Sequence, residues 1–294
     1  MTRERGQSMA AEKKSPFEGE HPNLKTGVGS VTDSRPVAES TWLVEFAAPE
    51  LAEAVAPGHF VMLRLPELYS PLLGRPFAVY RADRASGRVQ VIYLVVGNMT
   101  GRLSQIAPET PIEWWGPLGG GWAPIEKEGN PAARRIYMAA GGIGYTPFYM
   151  LAEKYAALEK GPELHLLYGA RTKSRVPNLD DFRALGVNVK VATDDGSTGA
   201  KGTVSDLLKA EGLEGGKDAL IAACGPRPML EAVFTAAKSL GSLPCWTSLE
   251  TPMSCGMGLC FGCVVEYLGE DGKADYRRTC VDGPVFDAYR LKWN

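Results

Sequence analysis

The sequence predicts a β + α/β multidomain protein: an antiparallel β-barrel, a doubly wound parallel sheet, and a small C-terminal metal-binding segment. Three observations lead there. Short β-branched and aromatic runs split by Pro and Gly fill residues 23–125, strands alternate with helices over 126–250, and four of six cysteines gather in 251–294.

The bulk properties narrow the function classes. At 294 residues the chain has length for about two domains, and 45% hydrophobic residues supply their cores. Its 32 basic and 34 acidic residues leave a formal charge of −2, which argues against nucleic acid or an anionic membrane as partner. No apolar run has the length of a membrane span, and the N-terminal stretch lacks the apolar core of a secretory signal. A cytoplasmic protein is expected, and six cysteines without a disulfide framework agree with a reducing compartment.

Residues 1–22 are polar and aperiodic, which reads as a disordered leader. Over 23–125, the runs TWLVEFAAP, HFVMLRLP, RPFAVYRA, RVQVIYLVV and IEWWGP read as strands, with one helix near Thr100–Ile106. Frequent turn residues between short strands favour an antiparallel barrel or sandwich. Over 126–250, RIYMAAG, ELHLLYGA, VNVKVAT, ALIAACG and CWTSLE alternate with the helix candidates TPFYMLAEKYAALEK, VSDLLKAEG and PMLEAVFTAAKSLG. That alternation implies parallel strands with helical crossovers on both faces. Residues 251–294 add a strand pair, VVEYL and ADYRRT, too short to bury much core without a metal.

Each part carries a candidate ligand motif. In the barrel, Gly74-Arg75-Pro76-Phe77-Ala78-Val79-Tyr80 sets an arginine ahead of a proline-stiffened strand. A guanidinium fork suits a diphosphate, and an ordinary surface arginine is the alternative. Val96-Gly97-Asn98-Met99-Thr100-Gly101 ends a strand and opens a helix, offering N–H groups and a hydroxyl to phosphate, or simply an N-cap. Gly116-Pro117-Leu118-Gly119-Gly120-Gly121-Trp122, at the barrel exit, is a ligand turn or an interdomain turn.

In the second part, Gly141-Gly142-Ile143-Gly144-Tyr145-Thr146-Pro147 runs from a strand into a helix, the arrangement that brings N–H groups to a pyrophosphate. It departs from the Gly-x-Gly-x-x-Gly fingerprint and is also compatible with a plain connection. A second turn, Cys224-Gly225-Pro226-Arg227-Pro228, ends another strand, so both turns can face one crevice. Cys224 would then lie over a nicotinamide ring; a small buried core residue is the alternative, and Cys245 reads as core.

Cys255, Cys260, Cys263 and Cys280 stand as Cys-x4-Cys-x2-Cys followed by a gap of sixteen residues. This is the spacing of a plant-type [2Fe–2S] centre with a shortened final gap, and Gly256, Gly258 and Gly262 suit a loop wrapped closely around a cluster. Structural zinc remains open, although zinc ligands group two and two, whereas these group three and one.

In order, the motifs resemble the ferredoxin-reductase superfamily: an Arg-Pro flavin motif, a Gly-x-x-Thr turn, a Gly-Pro-Leu-Gly turn, a Gly-Gly-x-Gly-x-Thr-Pro turn and a Cys-Gly-Pro turn. The cysteine run and the ending Cys280-Val281-Asp282-Gly283-Pro284-Val285-Phe286 look like the electron-transfer subunits of NAD-linked dihydroorotate dehydrogenases. The resemblance covers nearly everything after residue 23, and it implies FAD on the barrel, NAD(H) on the α/β part and a [2Fe–2S] cluster on the four cysteines. It assigns Arg75 to the flavin diphosphate, Pro76, Phe77 and Ala78 to the flavin, and Val96, Gly97, Thr100 and Gly116 to the same site. It assigns Gly141, Gly142, Gly144, Thr146, Pro147, Cys224, Gly225 and Pro226 to the nucleotide. Two positions depart from the pattern: many relatives have Ser in place of Ala78 and Gly in place of Met99.

A nicotinamide exchanges hydride and a [2Fe–2S] centre single electrons, so a flavin between them completes a relay. The resemblance implies a separate FMN-containing catalytic subunit oxidising dihydroorotate to orotate, in a heterotetramer with two of each chain. No part of this chain has the length of a TIM barrel, so no catalytic residue for dihydroorotate is expected on it. Met253, Met257, Leu259 and Phe261 would form an apolar patch toward that partner, or pack inward over the cluster. Rival readings are the diaphorase subunit of a hydrogenase, a sulfide dehydrogenase, a ferredoxin-NAD(P) transhydrogenase, or a non-catalytic zinc module. Arg171, Lys173 and Arg175 follow the second strand of the α/β part and could meet a 2′-phosphate, with plain solvation as the alternative, and the resemblance favours NADH.

Overall fold

The computed structural model describes residues 23–66, 72–127, 133–213, 218–269 and 271–293, so the expected leader lies outside the described residues. Strands β1 (Lys25–Ala38), β2 (Thr41–Ala47), β3 (Phe60–Arg64), β4 (Arg75–Asp83), β5 (Arg88–Leu94) and β6 (Pro111–Leu118) close an antiparallel barrel in the order β1-β2-β5-β4-β3-β6. Period-2 alternation sends Val44, Phe46, Val61, Phe77, Val91 and Trp114 into its core. Helices α1 (Pro49–Ala54) and α2 (Asn98–Leu103) add Leu51 and Leu103 to that core.

The expected strands are present, but β1, the longest, is not among them. Gly27, Gly29 and Pro36 interrupt its pattern. Packing requires the glycines: a Cβ on Gly27 would meet the Trp114 ring at 2.8 Å, and one on Gly29 the Ala47 carbonyl oxygen at 2.5 Å.

A short helix, α3 (Ala123–Lys127), leaves the barrel. The second sheet contains β7 (Arg135–Gly141), β8 (Glu163–Ala170), β9 (Asn188–Thr193), β10 (Ala200–Lys201), β11 (Ala219–Cys224) and β12 (Cys245–Ser248), paired in parallel in the order β10-β9-β8-β7-β11-β12. Helices α4 (Tyr149–Ala156) and α5 (Asp180–Ala184) cover one face, where Leu151 and Phe182 meet Ile136 and Met138. On the other face α6 (Val204–Ala210) and α7 (Arg227–Ser239) bury Leu208 and Val233 against Tyr137 and Ala139. The sheet is doubly wound, as expected. The helix expected from Thr146 starts as a 3-10 turn over Gly142–Phe148 and becomes α-helical at Tyr149.

The C-terminal segment forms the expected hairpin, β13 (Val264–Leu268) with β14 (Ala274–Arg278). It then returns to the second sheet, where β15 (Val285–Asp287) pairs antiparallel with β12. No helix among the described residues is long and apolar enough to cross a membrane.

Candidate functional site

The nucleotide turns meet because β7 and β11 are neighbours, with Ala140 opposite Cys224. A Cβ on Gly144 would stand 2.1 Å from the Cys224 carbonyl oxygen, and one on Gly141 2.4 Å from the Met229 sulfur. Close approach of two chain turns therefore explains both glycines. Gly142 differs: nothing lies within 4 Å of its added Cβ, but its φ of 55° belongs to the left-handed region. The Thr146 hydroxyl donates to the Ile143 carbonyl at 3.0 Å, closing the turn on itself. Cys224 is half-buried, and burial pushes its thiol up to about 12, so it holds its proton near neutral pH. Cys245 is buried in β12, as expected, with its thiol likewise pushed up to about 12 by burial.

Two barrel residues anchor this turn. Trp122, fully buried, donates from Nε1 to the Pro147 carbonyl at 3.0 Å and stacks on Phe148 at 5.0 Å. Tyr80 lies 4.8 Å from the Tyr149 ring and 5.9 Å from that of Tyr145, and its hydroxyl donates to Asp181 at 3.1 Å. Burial, reinforced by the Asp181 carboxylate, raises the Tyr80 hydroxyl above the usual phenol range. Farther out, Glu39 pairs with Arg175 at 3.4 Å and accepts from Ser174, so Arg175 serves the contact between barrel and sheet. The Ser174 hydrogen bond holds the Glu39 carboxyl below its usual range.

On the barrel, β3 pairs with Arg75–Ala78, but β5 pairs with β4 only from Val79 onward. The first half of β4 is thus paired with a neighbouring strand on one side only. Phe77 points into the barrel core, while Pro76 and Ala78 are half-buried on the outer face. Arg75 is exposed and donates from Nη1 to the Leu73 and Gly74 carbonyls, each at 3.0 Å. The Val96 and Gly97 N–H groups donate to the Thr100 hydroxyl at 3.0 and 3.1 Å, so this turn is an internally capped helix start. Met99, where many relatives have Gly, is buried in the barrel core. Gly116 is buried in β6, where a Cβ would come within 3.3 Å of the Phe60 carbonyl oxygen and the Val61 side chain.

The cysteine loop lies on the outside of β3 and β6. Cys263 and Cys280 are buried with Phe60, Met62 and Leu118, and Trp115 donates from Nε1 to the Cys255 carbonyl at 2.9 Å. The sulfurs of Cys263 and Cys280 stand 3.3 Å apart, and Cys255 hydrogen-bonds Cys260. The contact between Cys263 and Cys280 draws the Cys263 thiol below the ordinary range and pushes that of Cys280 above it. N–H groups of Gly262 and Cys255 draw Cys260 below the ordinary thiol range, and the Met257 N–H donates to the Cys255 sulfur at 3.4 Å. Two sulfur pairs amid backbone N–H groups fit a binuclear cluster, in which each iron takes two thiolates. Among the described residues no three His, Cys, Asp or Glu side chains converge on one ion position.

The expected apolar patch divides. Met253 and Met257 pack inward, whereas Leu259 and Phe261 are 48% and 63% exposed beside the exposed Cys260. Trp115, Trp122 and Tyr80 went unassigned from the sequence. For Trp115 a signal existed, since Ile112 and Trp114 point inward and period 2 leaves Trp115 outside. No local pattern marks Tyr80 for Asp181.

Comparison with known proteins agrees with this arrangement. Residues 250–292 match the iron-sulfur cluster binding domain of dihydroorotate dehydrogenase B, and residues 138–235 match the oxidoreductase NAD-binding domain. The chain is 35% identical to the electron transfer subunit of dihydroorotate dehydrogenase B (NAD(+)) from Desulforamulus reducens, over 87% of this chain and 94% of that one. Identity to the corresponding subunit from Bacillus caldolyticus is 37%, over 88% and 95%. Among solved structures, an NADH-dependent reduced ferredoxin-NADP oxidoreductase superposes with a TM-score of 0.77 at 27% identity, covering 92% of this chain and 91% of that one. A ferredoxin NADP+ reductase from Neisseria gonorrhoeae, with a TM-score of 0.63 at 16% identity over 74% and 92%, shares the fold. The chain belongs to the family of electron transfer subunits of dihydroorotate dehydrogenase B.

Proposed function

We propose that this chain carries electrons from dihydroorotate oxidation, on a separate FMN-containing subunit, to NAD⁺, through a [2Fe–2S] cluster and FAD. One observation carries the reading. Phe60 and Met62 on β3 lie under the cysteine loop, and their partners across the strand pair are Ala78 and Pro76 of the Arg-Pro motif. The site suited to a cluster and the site suited to a flavin are thus adjacent on one barrel face. FAD held on that face would supply the conversion between two-electron exchange with nicotinamide and one-electron exchange with the cluster.

The residues divide the work. Arg75 offers the rest of its guanidinium fork to the flavin diphosphate, while Pro76, Phe77 and Ala78 shape the adjoining edge of β4. Val96, Gly97 and Thr100, in the turn that opens α2, complete the flavin site, and Gly116 lets β6 pack closely on β3. Gly141, Gly142, Gly144, Thr146 and Pro147 build one wall of the NAD(H) crevice; Cys224, Gly225 and Pro226 build the other. Cys255, Cys260, Cys263 and Cys280 hold the cluster. Cys260, Leu259 and Phe261 form its exposed side, toward the partner in a heterotetramer with two copies of each chain. The chain acts as an enzyme by itself only toward NADH and artificial acceptors, in the cytoplasm.

The likeness to the ferredoxin-NADP oxidoreductase favours a second reading, transfer to a ferredoxin-linked partner, but identity there is 27% against 35–37% for the dihydroorotate dehydrogenase subunits. Anaerobic purification with native partners tests both. Flavin and cluster absorption bleached by NADH, with an FMN protein that oxidises dihydroorotate, is the expected result. A ferredoxin-linked partner supports the second reading, and colourless protein carrying zinc refutes both.

A further inference from the structure

We propose that Arg278, balanced by Asp282, braces the cysteine loop and sets the reduction potential of its cluster, an inference that rests on the cluster reading above. Arg278 donates from Nη1 to the Gly258 carbonyl at 3.0 Å. Gly258 lies between Cys255 and Cys260, and its N–H is directed at the Cys280 sulfur. The same guanidinium lies 5.1 Å from the centroid of the Phe261 ring, next to Cys260. Phe261 has a φ of 53°, an outlier for a bulky residue, and the arginine covers the ring that this backbone turns outward.

Asp282 closes the other side. Its carboxylate accepts from the Arg278 N–H at 2.7 Å and stands 3.7 Å from Nε. The Arg278 carbonyl accepts from the Val281 and Asp282 N–H groups at 3.1 and 2.8 Å, so the two residues clasp Cys280. Their side chains are 17% and 33% exposed, so solvent screens these charges only in part. Reduction adds one negative charge to the cluster. A neighbouring cation stabilises the reduced form, and a neighbouring carboxylate stabilises the oxidised form.

The two charges therefore act with opposite sign, which separates tuning from mere support of the loop. Full-length protein, purified anaerobically with its cofactors, is titrated with dithionite while the cluster is followed by EPR. Arg278→Gln should shift the reduction equilibrium about tenfold toward the oxidised form, equivalent to about 59 mV for one electron. Asp282→Asn should shift it the other way, and Arg278→Lys should stay near the parent. Unchanged potentials, or shifts of one sign in both variants, overturn the inference while leaving the cluster reading intact. If Arg278→Gln does not retain iron, Asp282→Asn decides: an upward shift supports the inference, and no shift overturns it. Parent protein without any cluster overturns both.

Discussion

Replacing Gly144 with alanine probes the crevice where β7 and β11 end. The new Cβ would stand 2.1 Å from the Cys224 carbonyl oxygen, 2.5 Å from its carbonyl carbon and 2.8 Å from the Gly225 nitrogen. All three are backbone atoms, and ordinary contact begins near 3.4 Å, so the turns must part by roughly 1.3 Å. Strand pairing continues to Ala140 and Cys224 and resists that movement. Overpacking costs about 1–3 kcal/mol, and a lost strand hydrogen bond adds about 1. A loss of about 3 kcal/mol corresponds to a fall in Tm of about 10 °C. Differential scanning calorimetry and stopped-flow reduction of the flavin by NADH are the assays. Slower reduction and a higher KM for NADH are expected, with FAD and iron content unchanged. Gly142→Ala is the control, because it meets no atom within 4 Å and carries only the penalty of its φ of 55°, about 1–2 kcal/mol. If Gly144→Ala melts with the parent, or loses less than Gly142→Ala, the packing argument is wrong.

Three further outcomes follow from the cysteines and their support. Cys260→Ser should reduce cluster incorporation and stop electron exchange with the partner, yet retain NADH-driven reduction of an artificial acceptor; loss of that activity with FAD intact would refute the order of carriers. Trp115→Phe removes the 2.9 Å hydrogen bond to Cys255, worth about 1 kcal/mol, so a chelator should extract iron about fivefold faster; an unchanged rate would show that the bond does not restrain the loop. Burial raises the thiols of Cys224 and Cys245 from 9.0 to about 12, so the folded state keeps protons that the unfolded chain releases. Their contribution is complete below pH 9 and lost as pH rises toward 12. Urea melts at pH 8 and 10.5 should show a smaller loss for Cys245→Ala than for the parent; equal losses would contradict the shift.

The barrel, the alternating sheet and the cysteine quartet were legible in the order of amino acids, because each depends on short-range patterns. Short β-branched and aromatic runs bounded by Pro and Gly marked β2 to β6, strand-helix alternation marked the parallel sheet, and the ligands from Cys255 to Cys263 sit within one loop. The long strand β1 escaped, since glycines that fit beneath Trp114 and Ala47 look locally like breaks.

How the parts adjoin emerged from the folded chain. Trp115 reaches Cys255 across 140 positions of sequence, Tyr80 reaches Asp181 across 101, and β15 returns to pair with β12. It also gave new reasons for expected residues: Gly144 and Gly116 answer to backbone packing, and Met253 and Met257 turn inward while Leu259 and Phe261 stay out. Turn geometry and ligand spacing are properties of a few consecutive residues, so they are legible one segment at a time. The approach of a cluster loop to one barrel face is set by side chains from distant segments filling one space, which no single segment encodes.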